Sequence, residues 1–514
     1  MKVAFRADAS YEIGSGHVMR CFTLAQILIK KGIDVIFICR DFHGDLSDFL
    51  RDNNFKVFLL PEPKHDYKLL DNGVPYAKWL GVDWKCDSKE TSDVLQIEAK
   101  VDCIVIDHYG IDEKWENVVR DYVSQIVIID DLADRNHDCD ILIDQNFYHG
   151  LASRYKKLVP EDCITFLGPK YTLLRSEFIN ARDNLQRDKS NIERVFVFFG
   201  GMDSSNETYS VLKLLENWLT SYDYIFDVDV VVSNSNVHSE KIEKICKDVS
   251  SFNFHKQVNN ISQLMVNANL AIGAGGTTAF ERIFVLLPAL VKVIADNQKT
   301  ALGDLEDIGA VKLYQNDSEL NNKLKDIFEK GVNDIPDIVN IGTNYIAGII
   351  DKRIKLKSPI SFDVRRSYLW LQDDNLRDDF LMSKKPSLKQ HFIYWRNMLL
   401  SDTDYLKAIY FLDKHVGFCG IKEINKKNCI GEAWIYLGTK NMQCAGVGTA
   451  ALSQLIYQFR TKFLSVKKLI LHVNNCNLNA INAYKKLGFI KTNISENSIW
   501  FSQKNNMTKM ELIL

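Results

Sequence analysis

The feature that most limits the fold is a rhythm. Over residues 1–350, short Val/Ile/Phe runs alternate with longer stretches of helical spacing, the signature of βαβ units whose parallel strands are covered on both faces. Predicted strands are Val3–Arg6, Val35–Cys39, Val57–Leu60, Cys103–Asp107, Ile126–Ile129 and Ile141–Ile143, then a second series of Val195–Phe199, Val228–Val232, Leu270–Ile272 and Ala289–Val293. A polar, charged stretch within Thr172–Ser190 separates the series. The expectation is an α/β chain with two Rossmann-like, doubly wound halves, over 1–180 and 181–352, and a ligand in the cleft at the carboxyl ends of their strands. With 514 residues, the chain also exceeds the ~250–300 at which one core stops growing.

Three strand-to-helix junctions carry glycine. The first strand runs into Asp8 and then Gly14-Ser15-Gly16-His17-Val18-Met19-Arg20. Glycines there let backbone N–H groups approach a ligand, and the helix N-terminus that follows favours phosphate. Arg20 stands near the place of the third glycine of a dinucleotide fingerprint, which disfavours a nicotinamide enzyme. In the second half, Phe199 leads into Gly200-Gly201, and Ile272 into Gly273-Ala274-Gly275-Gly276-Thr277-Thr278. Free N–H groups and threonine hydroxyls can cradle a diphosphate there without a basic side chain. Glu281, about a turn later, can accept ribose hydroxyls. Were water to attack a sugar–diphosphate linkage held in such a cleft, it would need a base near neutrality, which His17 can supply, and dipoles for the leaving group, which the glycine and threonine N–H groups can supply. Two roles stay open for His17, general base and hydrogen-bond donor to phosphate. Asp8 is a candidate to orient it or to hold the sugar.

A net charge of −2 offers no global attraction to nucleic acid or an anionic membrane. The longest apolar stretch, Ile283–Ile294, is broken by Pro288 and Lys292, and the N-terminus opens on a strand; a cytoplasmic protein is expected. The eleven cysteines show no C-x-x-C spacing, so neither disulfides nor structural zinc is expected. Asn136-His137-Asp138-Cys139-Asp140 holds metal-ligand residue types, but adjacent rather than spaced to converge on an ion.

The segments RADASYEIGSGHVMRCFTLA, VIDHYGID, VIIDDLADRNHDCDILIDQN, FFGGMD, AIGAGGTTAFER and DNQ together resemble the UDP-sugar hydrolases of pseudaminic acid biosynthesis, themselves similar to two-Rossmann, GT-B glycosyltransferases. The resemblance covers about residues 1–350. It implies metal-independent hydrolysis of UDP-2,4-diacetamido-2,4,6-trideoxy-β-L-altropyranose to the free sugar and UDP. It also implies His17 as the catalytic histidine, Tyr109 as a cleft residue near it, Glu281 as a nucleotide contact and Asn297-Gln298 as sugar contacts. Gly14, Gly16, Arg20, Gly200, Gly201, Gly275, Gly276, Thr277 and Thr278 complete the expected substrate-binding set.

From Asp351 the pattern changes to a basic, polar stretch, and 353–361 is expected to be a linker. Helical spacing around Trp370–Leu381 and His391–Leu399 precedes strand-like runs Ala408–Leu412, Val416–Ile424 and Ile430–Leu437, an antiparallel meander. Then come Gln443-Cys444-Ala445-Gly446-Val447-Gly448-Thr449 opening a helix, a strand Lys468–Val473 and a helix Asn479–Leu487. QCAGVG with the later block LHVNNCNLNA through YKKLGF resembles the GNAT acyltransferases, over a domain expected at 362–514. That resemblance implies acetyl-CoA as donor, with Gln443 in its binding set, Gly446, Val447, Gly448 and Thr449 at its pyrophosphate, Asn477 on the pantetheine side, and Tyr484 protonating the departing thiolate. Tyr394-Trp395-Arg396-Asn397 resembles the subclass that acetylates sugar amines. Fusion of the two parts suggests consecutive steps, N-acetylation of a UDP-4-amino sugar and then hydrolysis. A UDP-sugar glycosyltransferase with an appended acetyltransferase, and a sugar-nucleotide-binding regulator without turnover, are the alternatives.

Overall fold

The computed structural model describes all residues except 64–73, 99, 184, 186–190, 223, 235, 259, 341, 373–384, 439–445 and 493–506. Two compact units are present: Lys2–Ala25 with Asp34–Asn340, and Gln26–Ile33 with Ile341–Leu514 and Met1.

The first unit contains two parallel sheets. Strands β1 (Lys2–Ala7), β2 (Asp34–Arg40), β3 (Lys56–Leu60), β4 (Cys103–Asp107), β5 (Ile126–Ile129), β6 (Ile141–Asp144) and β7 (Ile164–Leu167) form a sheet in the order β3-β2-β1-β4-β5-β6-β7. Strands β8 (Arg194–Phe198), β9 (Asp227–Val232), β10 (Phe252–Lys256), β11 (Leu270–Ala274), β12 (Ala289–Lys292) and β13 (Lys312–Tyr314) form the other, in the order β10-β9-β8-β11-β12-β13. The two halves are the doubly wound α/β folds expected. The order reverses beside β1 and beside β8, and the chain leaves the sheet there toward opposite faces, which opens a crevice beyond the strand ends. Central strands such as β1 and β4 are buried along nearly their whole length, which explains why they are continuous apolar runs rather than alternating ones. Trp115 and Trp218 are the largest side chains in the respective cores. Burial of a large apolar side chain contributes about 1.5–3 kcal/mol, and each indole N–H keeps an acceptor, Asp87 at 2.9 Å and Asn321 at 2.8 Å.

The second unit has one mixed sheet of β14 (Ile354–Lys357), β15 (Tyr405–Phe411), β16 (Lys414–Asn425), β17 (Ile430–Leu437), β18 (Lys468–Asn474), β19 (Ile490–Thr492) and β20 (Met507–Ile513), in the order β14-β15-β16-β17-β18-β20-β19. The expected meander is β15–β17, antiparallel throughout. The stretch expected as a linker holds β14, which pairs antiparallel with β15 from Ile354↔Phe411 to Lys357↔Ala408. Its charged residues alternate with Ile354 and Leu356, so one face of this edge strand is apolar and the other solvated. A helix Ser361–Trp370 is present, residues 373–381 of the helix expected at Trp370–Leu381 lie outside the described residues, and Leu388–Leu399 lies close to expectation, with Ser387 and Gln390 forming a capping box. Trp395 is buried, 4.3 Å from the Phe418 ring. In the quartet expected to mark a sugar-amine subclass it is a core residue, whereas Tyr394 is exposed.

Candidate active sites

The helix Gly16–Lys30 follows β1, and β4 lies beside β1 with Ala7 opposite Asp107. His17, on the first turn of that helix, therefore meets the carboxylate ending β4. His17 Nδ1 donates to Asp107 Oδ1 at 2.6 Å. Arg20, one turn further on the same helix face, clamps the same carboxylate through Nε at 2.5 Å and Nη2 at 2.7 Å, and its Nη1 reaches Asp131 Oδ2 at 3.0 Å. Burial alone would raise the Asp107 pKa, but Arg20 and His17 override it and hold it at about 2. Asp107, ionised at neutral pH, fixes the proton of His17 on Nδ1 and leaves Nε2 as the basic nitrogen, as in a catalytic dyad. The Tyr109 ring stands edge-on to His17 at 4.6 Å and stacks on Trp79 at 5.5 Å, while its hydroxyl donates to Asp131 at 2.5 Å.

Asp8 does not line the cleft. It lies two residues from Arg6, on the same face of the extended chain, and is fully buried with Oδ1 accepting from Arg6 Nη1 at 2.6 Å and from the Arg40 backbone N–H at 2.7 Å. Although burial opposes it, Arg6 and His108 hold this carboxyl well below the usual range. The orienting partner of His17 is Asp107, which sequence reasoning missed. Because the Asp107 folded pKa lies below the ordinary carboxylate value near 4, the stability this cluster contributes is present above about pH 4 and is lost as pH falls toward 2. Melting curves of the wild type and Asp107→Asn should therefore differ at neutrality and converge between about pH 4 and pH 2. A constant offset across that range would mean Asp107 is not the titrating group.

His17, Arg20 and Tyr109 line a cleft of about 820 Å³ together with Gly14 and Gly16. Its opposite wall carries Gly200 and Gly201 after β8, the turn Gly275–Thr278 after β11, Glu281, and Asn297 with Gln298. Both halves of the unit thus converge on one cavity. Gly276 has φ +78°, a conformation that makes glycine the natural residue before the helix Thr277–Phe284. The first N–H groups of that helix have no intrahelical acceptor. Glu281 is buried, which pushes its pKa up, and Arg175 opposes the shift. Arg175 Nε and Nη2 both donate to Glu281 Oε1, at 3.0 and 2.9 Å, so one oxygen expected for a ribose already has a partner.

Several side chains of the cluster Asn136–Asp140 are engaged by protein groups, although His137 Nε2 is buried with Asp130 no nearer than 3.9 Å. His137 Nδ1 pairs with Glu116 at 2.6 Å, and Arg120 binds Asp138 and Asp140 at 3.0 and 2.7 Å. Among the described residues, the group with ligand atoms close enough for a cation is His149, Asp304 and Asp307. All ten described cysteines are free thiols, and no helix of the described residues is long and apolar enough to cross a membrane.

In the second unit, β17 and β18 pair in parallel only from Ile430↔Lys468 to Glu432↔Ile470. Beyond that point β17 stays with β16 and β18 with β20, so the two strands part. At the parting point His472 Nδ1 lies 3.1 Å from Glu432 Oε1, and Lys422 stands 3.4 Å from the other Glu432 oxygen. Burial would raise the Glu432 pKa, but His472 and Lys422 lower it. Register alone could have revealed this pair. Gly446, at φ +75°, turns the chain into the helix Val447–Lys462, so the N–H groups of Val447, Gly448 and Thr449 sit on its first turn. The Thr449 hydroxyl donates to the Gly446 carbonyl at 2.8 Å. Asn477 caps the helix Leu478–Lys485 by accepting from the Ala480 N–H at 3.0 Å. Tyr484 is half-buried on the last turn of that helix, 6.0 Å from the Phe489 ring. Gln443 lies outside the described residues.

Comparison with known proteins matches both units. An uncharacterized protein of Methanocaldococcus jannaschii is 23% identical over 98% of this chain and 100% of its own length. The UDP-2,4-diacetamido-2,4,6-trideoxy-β-L-altropyranose hydrolase of Campylobacter jejuni is 28% identical over 299 residues, 57% of this chain and 91% of that protein. A spore coat polysaccharide biosynthesis protein of Bacillus subtilis is 24% identical over 60% of this chain and 82% of its own length. Residues 369–489 match the acetyltransferase (GNAT) family model. The chain is therefore a homologue of the hydrolase and the spore coat protein over its N-terminal part, joined to a GNAT domain.

Proposed function

We propose that the chain is a bifunctional sugar-nucleotide enzyme. Its N-terminal cleft hydrolyses a UDP-linked diacetamido-trideoxy sugar to the free sugar and UDP, and its GNAT domain uses acetyl-CoA to acetylate the UDP-4-amino precursor. The observation that carries the hydrolase reading is the His17–Asp107 dyad on one wall of a cleft whose other wall is a glycine and threonine turn at a helix N-terminus. His17 Nε2 takes a proton from water, the resulting hydroxide attacks the sugar–diphosphate linkage, and UDP departs against the N–H groups of Gly276–Thr278. Water supplies OH to one product and H to the other. In the GNAT domain the sugar amine attacks the thioester carbon, the C–S bond breaks, and Tyr484 protonates the thiolate. His472, held by Glu432 at the strand gap, receives the proton shed by the amine.

An assay with the UDP-diacetamido sugar in water, with no sugar or lipid acceptor, should release UDP and free sugar in equal amounts. Dependence on an added acceptor would make the cleft a glycosyltransferase instead. Glu281→Ala should weaken UDP binding by about 1.5–3 kcal/mol, the range for hydrogen bonds to a charged group. Arg175 keeps Glu177 at 2.8 Å as a partner in that variant. Unchanged UDP affinity by calorimetry would move the ribose away from this helix.

A further inference from the structure

Lys31 belongs to the same compact unit as the GNAT domain, although it lies 415 residues before Gly446. It follows the helix Gly16–Lys30, and its backbone carbonyl and that of Gly32 accept from Arg353 at 2.8 and 3.0 Å, with Arg353 in turn paired to Asp351. The residue is 93% buried, and its ammonium donates to the Gly446 carbonyl at 3.3 Å and to the Thr449 hydroxyl at 3.1 Å. The stem lies against Gly446 so closely that a β-carbon there would come 3.0 Å from Lys31 Cγ. Both acceptors belong to the turn that opens the helix Val447–Lys462.

This placement is unusual electrostatically. A helix N-terminus carries about half a positive charge, and a buried ammonium beside it adds to that field. Burial pushes the Lys31 pKa down to about 8, Asp351 opposes the fall, and Arg353 and Lys486 add to it. Such a cation is unfavourable beside an empty helix terminus and favourable once a dianion arrives. Neutral donors would satisfy the same carbonyl and hydroxyl more cheaply, so an ammonium here fits an anionic ligand better than a purely structural tie.

We propose that Lys31 is a positioning residue for acyl-donor binding, fixing the Gly446–Thr449 turn and supplying a cation for the donor's diphosphate, so that acetylation depends on a residue from the N-terminal sequence. The inference rests on the acetyl-CoA reading of this turn. It extends that reading to a residue that no GNAT segment of the chain contains.

The test uses the full-length chain as wild type, Lys31→Met and Lys31→Arg, with calorimetric titration of coenzyme A, acetylation kinetics, and UDP release as a readout of the other unit. Lys31→Met should raise the KM for acetyl-CoA and the Kd for coenzyme A by about tenfold or more, the scale of one charge-assisted hydrogen bond, with kcat within about twofold. Lys31→Arg should recover most of the affinity, and UDP release should be unchanged in both. Equal affinity for coenzyme A in wild type and Lys31→Met overturns the inference. So does a loss in which kcat and UDP release fall together and arginine gives no recovery, because Lys31 would then serve folding alone. A wild type that does not bind coenzyme A refutes the acetyl-CoA reading itself and takes the inference with it.

Discussion

His17→Ala should lower UDP release by about 10²–10⁴ while N-acetylation proceeds at the wild-type rate. That range is the usual loss when a general base is removed. The residue lines the cleft, and its Nδ1 is engaged by a carboxylate held ionised near 2. Asp107→Asn should also lower kcat with a weaker effect on KM, because an amide no longer stabilises an imidazolium and turns an NH2 toward one of the donors that both oxygens now accept from. If His17→Ala hydrolyses within several-fold of wild type, the histidine is a phosphate contact and not a base. Steady-state assay of released UDP distinguishes the two roles left open by the sequence.

Gly448→Glu should abolish N-acetylation and leave UDP release intact. The geometry makes this a clean substitution. Among the described residues, a β-carbon on Gly448 would meet Leu437 and Ile435 side-chain carbons, at 3.8 and 3.9 Å, which is ordinary contact. Gly448→Ala should therefore fold and retain activity within a few-fold. The glutamate differs by placing a carboxylate at the N–H groups expected to receive the donor's diphosphate, so it competes for that place. Gly446→Glu is a harsher variant, since the φ of +75° and the contact with Lys31 penalise any side chain. Acetylation that persists in Gly448→Glu would remove this turn from acetyl-CoA binding.

The central strands, the glycine turns and the position of His17 at the mouth of the first of them were legible because each depends on neighbours close in sequence. Among the strands of the first unit that the pattern missed, β7, β10 and β13 are all sheet edges. Edge strands are covered less completely, so segments such as Phe252–Lys256 alternate apolar with polar residues and lose the continuous run that marks a buried strand. Asp107 sits 90 residues from His17, and only the adjacency of β1 and β4 brings them together. Asp8, a candidate to orient His17 or to hold the sugar, is nearer in sequence, but chain alternation turns it toward Arg6. The Glu432–His472 pair and Lys31 depend on the register where β17 leaves β18 and on a contact spanning most of the chain. β14 lay inside a stretch whose charge resembled a linker, because an edge strand solvated on one face has much the same composition.

The most direct test incubates the full-length chain with the UDP-4-amino sugar, with and without acetyl-CoA, and follows the products by NMR. The account predicts free diacetamido sugar and UDP when acetyl-CoA is present, an N-acetylated UDP-sugar accumulating when His17 is replaced by alanine, and little UDP release without acetyl-CoA. Release of UDP from the unacetylated amine at the same rate, or no N-acetylated product at all, would contradict it.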